Sequence, residues 1–406
     1  MSDTVTLPRS TTRTKRIRST GEKNVPRHDA RLTARARFRA AAAARSPGRP
    51  HARVLVIGAG PAGLATAASL KMIGVRADLV DRSGRIGGAY ARLEGGIVLS
   101  SPAKTTQLPG LPIDAKTRYI TIAQYRDYLR RYATHHALVP DRQIIEKIER
   151  VGDNFLVYMA GESRPRKYEA VVVATGMCEH PVWPRIEGLT EGPRKQNTPR
   201  VFHSRDWPGH AAVAGKKILI VGGASSAIAI AEQCAKAGTP VTVSSRREQV
   251  RFSWAKLRGL DFRGLIYPIT RRLPRWLFGE RCGSRPAFTG TDNGFRKYRR
   301  QGLIDVQGPV VKFTGRQATF ADGWTERFDV VVLATGFQFR MPFLPDEVER
   351  ASGGQPLADE GQSRSWPGLY FVGIPCGRTV ASEFLHGMAA DAPKVAAQIR
   401  ARLRVR

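Results

Sequence analysis

Three features of the sequence predict an α/β fold of two doubly wound units, one inserted into the other. A buried strand, a glycine-rich loop, a helix and a second strand follow one another over Arg53–Arg82. The same order returns over Lys216–Glu248. The related runs VVVATG (171–176) and VVVLATGF (330–337) are buried strands that each lead into a small residue and glycine, as expected where the chain crosses between units.

The bulk composition permits this. A chain of 406 residues is long enough for two or three domains, and 42% hydrophobic with 25% charged residues is a globular balance. Cys178, Cys234, Cys282 and Cys376 are scattered, with no CxxC and no metal-ligand spacing, so neither a disulfide framework, a dithiol redox pair nor a metal site is expected. A reducing, cytoplasmic setting follows from the same cysteine usage. No apolar run approaches the roughly 20 residues that span a bilayer.

The formal net charge of +32 is extreme. Residues 1–50 hold thirteen Lys or Arg against Asp3, Glu22 and Asp29, and read as a basic, mostly disordered tail. Such charge favours peripheral contact with acidic surfaces and the approach of anionic ligands. No nucleic-acid module accompanies it, so specific nucleic-acid recognition is not expected.

In the first unit, the strand VLVI leads directly into Gly58-Ala59-Gly60-Pro61-Ala62-Gly63. Gly58 makes the tight turn, Gly60 lets backbone approach a pyrophosphate, and Gly63 lets the helix pack on the strand, while helix N–H groups face the phosphates. Asp81 closes the second strand 23 residues after Gly58, where a carboxylate accepts hydrogen bonds from a ribose and repels a 2′-phosphate. This loop is expected to hold a dinucleotide. The stretch after it, Asp81-Arg82 followed by Gly87-Gly88-Ala89-Tyr90, resembles the acid-Arg-x-x-x-x-Gly-Gly segment of two-domain flavoproteins. That resemblance implies FAD, with the second glycine pair beside the flavin's phosphate and ribityl chain.

Further along, Tyr125, Leu129 and Tyr132 recur at helical spacing and read as helix core. The second unit departs from the usual fingerprint. Its loop is Gly222-Gly223-Ala224-Ser225-Ser226-Ala227, so alanine stands where the middle glycine is expected. Ala227 is tolerable at the close-packing position, whereas the Ala224 methyl faces the place where backbone contact with pyrophosphate is wanted. Ser225 and Ser226 offer hydroxyl donors in compensation. Downstream, the strand ends in Ser244-Ser245-Arg246-Arg247, a basic corner suited to the 2′-phosphate of NADPH. Segment 251–301 is basic, aromatic and interrupted by proline, and reads as a substrate cover, a membrane-surface patch or a partner site.

Together these motifs resemble the class B flavin-dependent monooxygenases, the flavin-containing monooxygenase group and its relatives, over roughly residues 53–400. Gly58, Gly60 and Gly63 match the first loop, Gly222 and Ala227 the second, and Ala334-Thr335-Gly336-Phe337 the ATG-aromatic motif. Of the linker signature Phe-x-Gly-x-x-x-His-x-x-x-aromatic, His203 and Trp207 are present, while Asn197 and Pro199 replace the Phe and Gly. His203 has an alternative role as a packing or turn histidine.

The resemblance implies two dinucleotide-binding (Rossmann-like) domains, the NADPH domain (196–339) inserted into the FAD domain (51–195 and 340–406). It also implies NADPH- and O2-dependent transfer of one oxygen atom from a C4a-(hydro)peroxyflavin to a small organic substrate. N- or S-oxygenation is preferred on chain length, with Baeyer–Villiger or decarboxylating oxygenation as the alternative. An FAD-dependent NADPH oxidoreductase that passes electrons to a partner also stays open, as does a basic scaffold that has kept the fold. No dedicated catalytic acid or base is identifiable from the sequence.

Overall fold

The computed structural model describes residues 52–189, 197–246, 250, 252, 256–257, 260–273 and 291–404. The basic tail, Arg247 and much of segment 251–301 lie outside the described residues. Twelve strands build two sheets: β1 (Val54–Ile57), β2 (Ala77–Asp81), β3 (Asp141–Arg142), β4 (Ala170–Val173), β5 (Arg200–His203), β6 (Ile218–Val221), β7 (Val241–Ser244), β8 (Ile304–Gln307), β9 (Val330–Leu333), β10 (Ala358–Asp359), β11 (Gln362–Ser363) and β12 (Leu369–Phe371). Among the helices that pack on or between them are α1 (Pro61–Met72), α2 (Ile122–His135), α3 (Ser225–Lys236), α4 (Arg263–Thr270) and α5 (Leu385–Arg404).

The first sheet has the order β10-β11-β12-β4-β1-β2-β3, and its centre is parallel. The second, β8-β7-β6-β9-β5, is parallel throughout. Central strands β1, β4, β6 and β9 are apolar runs buried on both faces, as parallel strands covered on both sides must be. Separate apolar clusters flank each sheet.

The two VVV runs occupy equivalent places. β4 lies beside β1 and β9 beside β6, and the amides that follow them donate to the neighbouring strand, Ala174 N to Ile57 O and Ala334 N to Val221 O, each at 2.8 Å. Beyond these strands the outgoing and returning chains pair with one another. Val182 N donates to Gly336 O (2.9 Å), Gln338 N to His180 O (2.8 Å), and the Thr335 hydroxyl to Val182 O (2.6 Å). The crossover is therefore a short two-stranded strap that brings the ends of both central strands together.

The tyrosine stripe of α2 is core. Thr121 and Gln124 form a reciprocal capping box at its start. Tyr125, Leu129 and Tyr132 are fully buried, and the hydroxyls of Tyr128 and Tyr132 donate to Leu111 O (2.8 Å) and Pro109 O (2.7 Å). The irregular loop before the helix is fastened to it by these bonds.

Helix α4 is held over the cavity by Arg263, which is 1% exposed. Its guanidinium forks onto Asp261 (2.8 Å to each oxygen), donates to Ser100 O, and stacks on Tyr119 at 4.3 Å. The Arg263 pair holds the Asp261 carboxyl far below its usual range. Breaking a pair of this kind leaves an uncompensated buried charge. Asp261→Asn is expected to cost about 3 kcal/mol of stability, measured by urea denaturation of the full chain.

Cys178 and Cys234 are free thiols. Cys376 is disulfide-bonded, a pairing that the cysteine spacing did not predict because it depends on tertiary proximity rather than on a local motif.

Candidate active site

The strands of both sheets end at one cavity of about 1780 Å³. On the first side, β1 turns at Gly58, whose amide donates to Val80 O (2.7 Å) and whose φ is +107°. A Cβ at Gly58 would lie 2.5 Å from Ala174 O, and one at Gly63 only 1.8 Å from Gly58 O. The polypeptide itself requires both glycines. Gly60 differs: it is the N-cap of α1 in ordinary extended backbone, and a Cβ there meets nothing nearer than Gly88 Cα at 3.8 Å. The space left by its missing side chain opens on the cavity, which Gly60, Pro61 and Ala62 line. A cradle of this form fits a pyrophosphate placed against the helix N-terminus.

Asp81 also lines the cavity, and its carboxylate holds the corner in shape. One oxygen accepts from Ala59 N (3.0 Å), the other from Ser83 N (2.8 Å) and the Ser83 hydroxyl (2.6 Å). Gly87, with φ of 113°, donates to Ala59 O at 2.8 Å and so joins the second glycine pair to the first loop. Gly88 and Tyr90 line the cavity, with Tyr90 edge-on to Tyr125 at 5.1 Å. Arg82 and Arg92 both pair with Glu179 on the outgoing crossover.

The second loop repeats the first. Gly222 N donates to Ser244 O (2.8 Å), as Gly58 N does to Val80 O, and a Cβ at Gly222 would lie 2.3 Å from Ala334 O. Ala224 is the N-cap of α3 with φ −112° and ψ −167°, the extended conformation that Gly60 adopts. Alanine is unstrained there, so the departure from the fingerprint consists of the methyl group alone. Ala227 is fully buried in the close-packing place.

Gly222, Gly223, Ala224, Ser225 and Ser226 all line the cavity, and Arg246 stands exposed on its rim. Ser244 plays a structural part, since its hydroxyl donates to Gly308 O (2.9 Å) and accepts from Val310 N (3.0 Å). Ala224→Gly removes a methyl from the cavity wall without altering permitted backbone. It is expected to tighten NADPH binding by about two- to fivefold in a titration of the oxidised protein, the scale of one small steric contact.

The linker residues lie behind the cavity wall. His203 is 1% exposed, accepts from Arg205 N at Nδ1 (3.2 Å), and donates from Nε2 to Gly336 O (3.2 Å). Its ring meets Phe337 edge-on at 5.0 Å. Burial lowers its pKa, which agrees with this neutral, fully used tautomer. His203 holds the returning crossover, and both of its ring nitrogens are used. Trp207 is buried and donates to Gln233 Oε1 (2.7 Å), and Gln233 in turn donates to Glu94, linking α3 to the first unit.

Sequence reasoning missed two polar residues of the cavity lining. Glu383 and His386, in the turn that starts α5, line it together with Ile266, Tyr267 and Thr270 of α4. Glu383 Oε2 and His386 Nδ1 are buried without a hydrogen-bond partner. The available signal was a Glu and a His three residues apart in an otherwise apolar turn, VASEFLHGMAA. Among the described residues, no group of three or more His, Cys, Asp or Glu is placed to hold a metal ion.

Burial pushes the Glu383 carboxyl from 4.5 up to about 7. Burial, with Arg271 adding to it, pushes His386 from 6.5 down to about 4. Folding tightens the hold on the Glu383 proton, so its contribution is full below about 4.5 and is lost as pH rises through about 7. Folding loosens the hold on the His386 proton, so its contribution is full above about 6.5 and is lost as pH falls through about 4. The two slopes oppose. Glu383→Gln is therefore expected to uncover a rise of stability with pH, and His386→Phe a fall, each on the order of 3 kcal/mol across its window. Urea midpoints over a series of pH values measure both.

Two nucleotide loops from separate parallel sheets, opening on one cavity, define an oxidoreductase built from paired dinucleotide folds. Residues 55–259 match the family model described as "Pyridine nucleotide-disulphide oxidoreductase", and the chain belongs to that family. Probable indole-3-pyruvate monooxygenase YUCCA8 of Arabidopsis thaliana is 27% identical over 390 residues, which span 85% of this chain and 88% of that protein. The flavin-containing monooxygenase from Stenotrophomonas maltophilia shares the fold with a TM-score of 0.68 at 23% identity, over 87% of this chain and 99% of its own. The structure of OTEMO in complex with FAD and NADP aligns with a TM-score of 0.64 at 14% identity, over 88% of this chain and 86% of that one. Within its family the chain is a class B flavin monooxygenase-like enzyme. Among the described residues no helix is long and apolar enough to cross a membrane.

Proposed function

We propose that this enzyme is an FAD- and NADPH-dependent monooxygenase that transfers one atom of O2 to a small organic substrate. One observation carries the reading: both nucleotide loops and the polar groups Glu383 and His386 line a single cavity. The domain division that goes with it assigns 51–195 and 340–406 to FAD and the inserted 196–339 to NADPH.

In this reading the N-terminus of α1 and the open face of Gly60 take the FAD pyrophosphate, and Asp81 takes its ribose. Gly88 and Tyr90 border the ribityl and ring end. The N-terminus of α3, with Ser225 and Ser226, takes the NADPH pyrophosphate, and Arg246 with Arg247 takes the 2′-phosphate. The bound flavin supplies hydride acceptance and O2 activation, while the chain positions both nucleotides and keeps water from the ring. Helix α4, clamped by Arg263, serves as the inner cover of the substrate end.

N- or S-oxygenation is one transfer type that the reading includes. Insertion of oxygen beside a carbonyl, with or without decarboxylation, is favoured by the indole-3-pyruvate monooxygenase activity for which the plant relative is named. The test begins with the purified enzyme, the identity of its released flavin, and the anaerobic rates at which NADPH and NADH bleach it. Isotopically labelled O2 is then admitted with an amine, a sulfide, a ketone and a 2-oxo acid in turn. Label in one product supports the proposal and selects the transfer type. Reoxidation with label only in peroxide and water, for all four probes, refutes it in favour of electron transfer.

A further inference from the structure

Apart from the crossover strap, the two units meet at a polar joint on α3. Trp207 Nε1 donates to Gln233 Oε1 (2.7 Å), and Gln233 Nε2 donates to Glu94 Oε2. An indole only donates and a carboxylate only accepts, so the two partners fix which way the Gln233 amide points. The other Glu94 oxygen accepts from Gly96 N (2.8 Å). The first unit holds this stretch in turn, since Ala123 N and Ile122 N at the start of α2 donate to Gly95 O (3.0 Å) and Ile97 O (2.9 Å). Ile97 packs against the apolar clusters of both units. The joint is also closely fitted. A Cβ at Gly96 would lie 3.3 Å from Gln233 Nε2, and one at Gly209 3.1 Å from Glu94 Cγ.

Gln233 follows Ala229 and Ile230 by four and three residues, so it continues their face of α3 one turn behind the cavity wall. From the first unit, Leu93 and Ile97 line the same cavity on either side of Glu94 in the chain. Neither Glu94 nor Gln233 lines it. We infer that Glu94, acting through Gln233, is a positioning residue: it sets how far α3 stands from the first unit, and with that the gap across which the two nucleotides react. This rests on the proposed function, which seats the NADPH pyrophosphate at the N-terminus of α3 and the FAD pyrophosphate at that of α1. In the step concerned NADPH gives up a hydride and becomes NADP+, and the flavin takes the hydride and is reduced. Each nucleotide keeps its own contacts when the joint opens, whereas the distance between them changes. A misplacement of about 1 Å costs a reaction up to about 100-fold in rate. The rate of transfer therefore depends on the joint more than the affinity for either nucleotide does.

The test exchanges the two side chains in the flavin-loaded enzyme. In Glu94→Gln an amide N–H group must face either Gln233 Nε2 or Gly96 N, and in Gln233→Glu two carboxylates meet, so each variant loses the joint. In E94Q/Q233E the new amide donates to the new carboxylate and accepts from Gly96 N, while that carboxylate accepts from Trp207. Every donor again meets an acceptor. Gln233→Ala removes the contact without repulsion. Each single variant is expected to lower the limiting rate of anaerobic flavin reduction at saturating NADPH by about tenfold or more, with the Kd of NADPH within about threefold. The double variant is expected to recover to within about threefold of the wild type. The flavin difference spectrum on adding NADP+ to the oxidised enzyme needs no turnover, and should be altered in the single variants and restored in the double one. The inference is overturned by wild-type reduction rates in the single variants, by a loss confined to NADPH affinity, or by a double variant no faster than the single ones. Failure of NADPH to bleach the wild-type flavin would instead refute the proposed function. The joint is then judged on the difference spectrum, where unaltered single variants overturn it.

Discussion

Gly63→Ala is expected to yield an enzyme without flavin and with a sharply lowered denaturation midpoint. The added methyl would lie 1.8 Å from the carbonyl oxygen of Gly58, well inside any contact distance, and the obstacle is backbone. It cannot rotate aside. Either α1 lifts from β1 or the Gly58 turn opens, and each moves the helix N-terminus that faces the cavity. Overpacking in a tight core costs about 1–3 kcal/mol, and a clash with fixed backbone belongs at or above the top of that range. Gly60→Ala provides the contrast, because its methyl meets nothing of the protein within 3.8 Å. Stripped of flavin, that variant is expected to unfold at the same urea concentration as the stripped wild type, and yet to hold flavin about tenfold less tightly or worse. Flavin-to-protein ratio after dialysis and the urea midpoint separate the two. A Gly60→Ala protein that keeps its flavin would show that nothing approaches the loop there.

How much of this was legible in the sequence depends on how far apart the interacting residues lie. Both glycine loops were, because strand, turn, helix and strand act within about thirty residues and each glycine answers a local steric demand. The equivalence of the two VVV runs was also legible, and the structure adds why they matter. Ala174 and Ala334 present the carbonyls that force Gly58 and Gly222 to lack a side chain. Ala224 read as a defect from its letter alone, whereas its extended backbone shows that only the ligand side of the position changes. The half-kept linker signature hid a complete local role for His203, whose two nitrogens are both occupied.

The meeting of α4 with the start of α5 was not legible. Glu383 and His386 acquire meaning only because α4, more than a hundred residues earlier, is fastened over them by Arg263, Asp261 and Ser100. No periodicity within the chain encodes that meeting. Nor does a sequence record that a side-chain atom is left without a partner, since that is a property of everything packed around it.

The remaining large effect concerns the choice of nicotinamide cofactor. Arg246 lies just beyond β7, exposed on the cavity rim, one place after Ser245, the counterpart of Asp81 at the end of β2 in the other sheet. The two corners therefore differ in sign. A carboxylate repels a 2′-phosphate, while a guanidinium forks onto one with charge-assisted hydrogen bonds. Hydrogen bonds to charged groups contribute about 1.5–3 kcal/mol, so Arg246→Ala is expected to weaken NADPH binding by about 10- to 100-fold. NADH lacks the phosphate and should change by no more than about twofold. The wild-type preference for NADPH should also fall as salt is raised, because an exposed pair is screened, and that salt dependence should largely vanish in the variant. Arg246→Lys keeps the charge without the fork and should fall between the two. Affinities from titration of the oxidised enzyme, with anaerobic flavin reduction as a second readout, measure all of these. Equal losses for the two cofactors would place Arg246 in a general positive field and leave the 2′-phosphate to be held elsewhere.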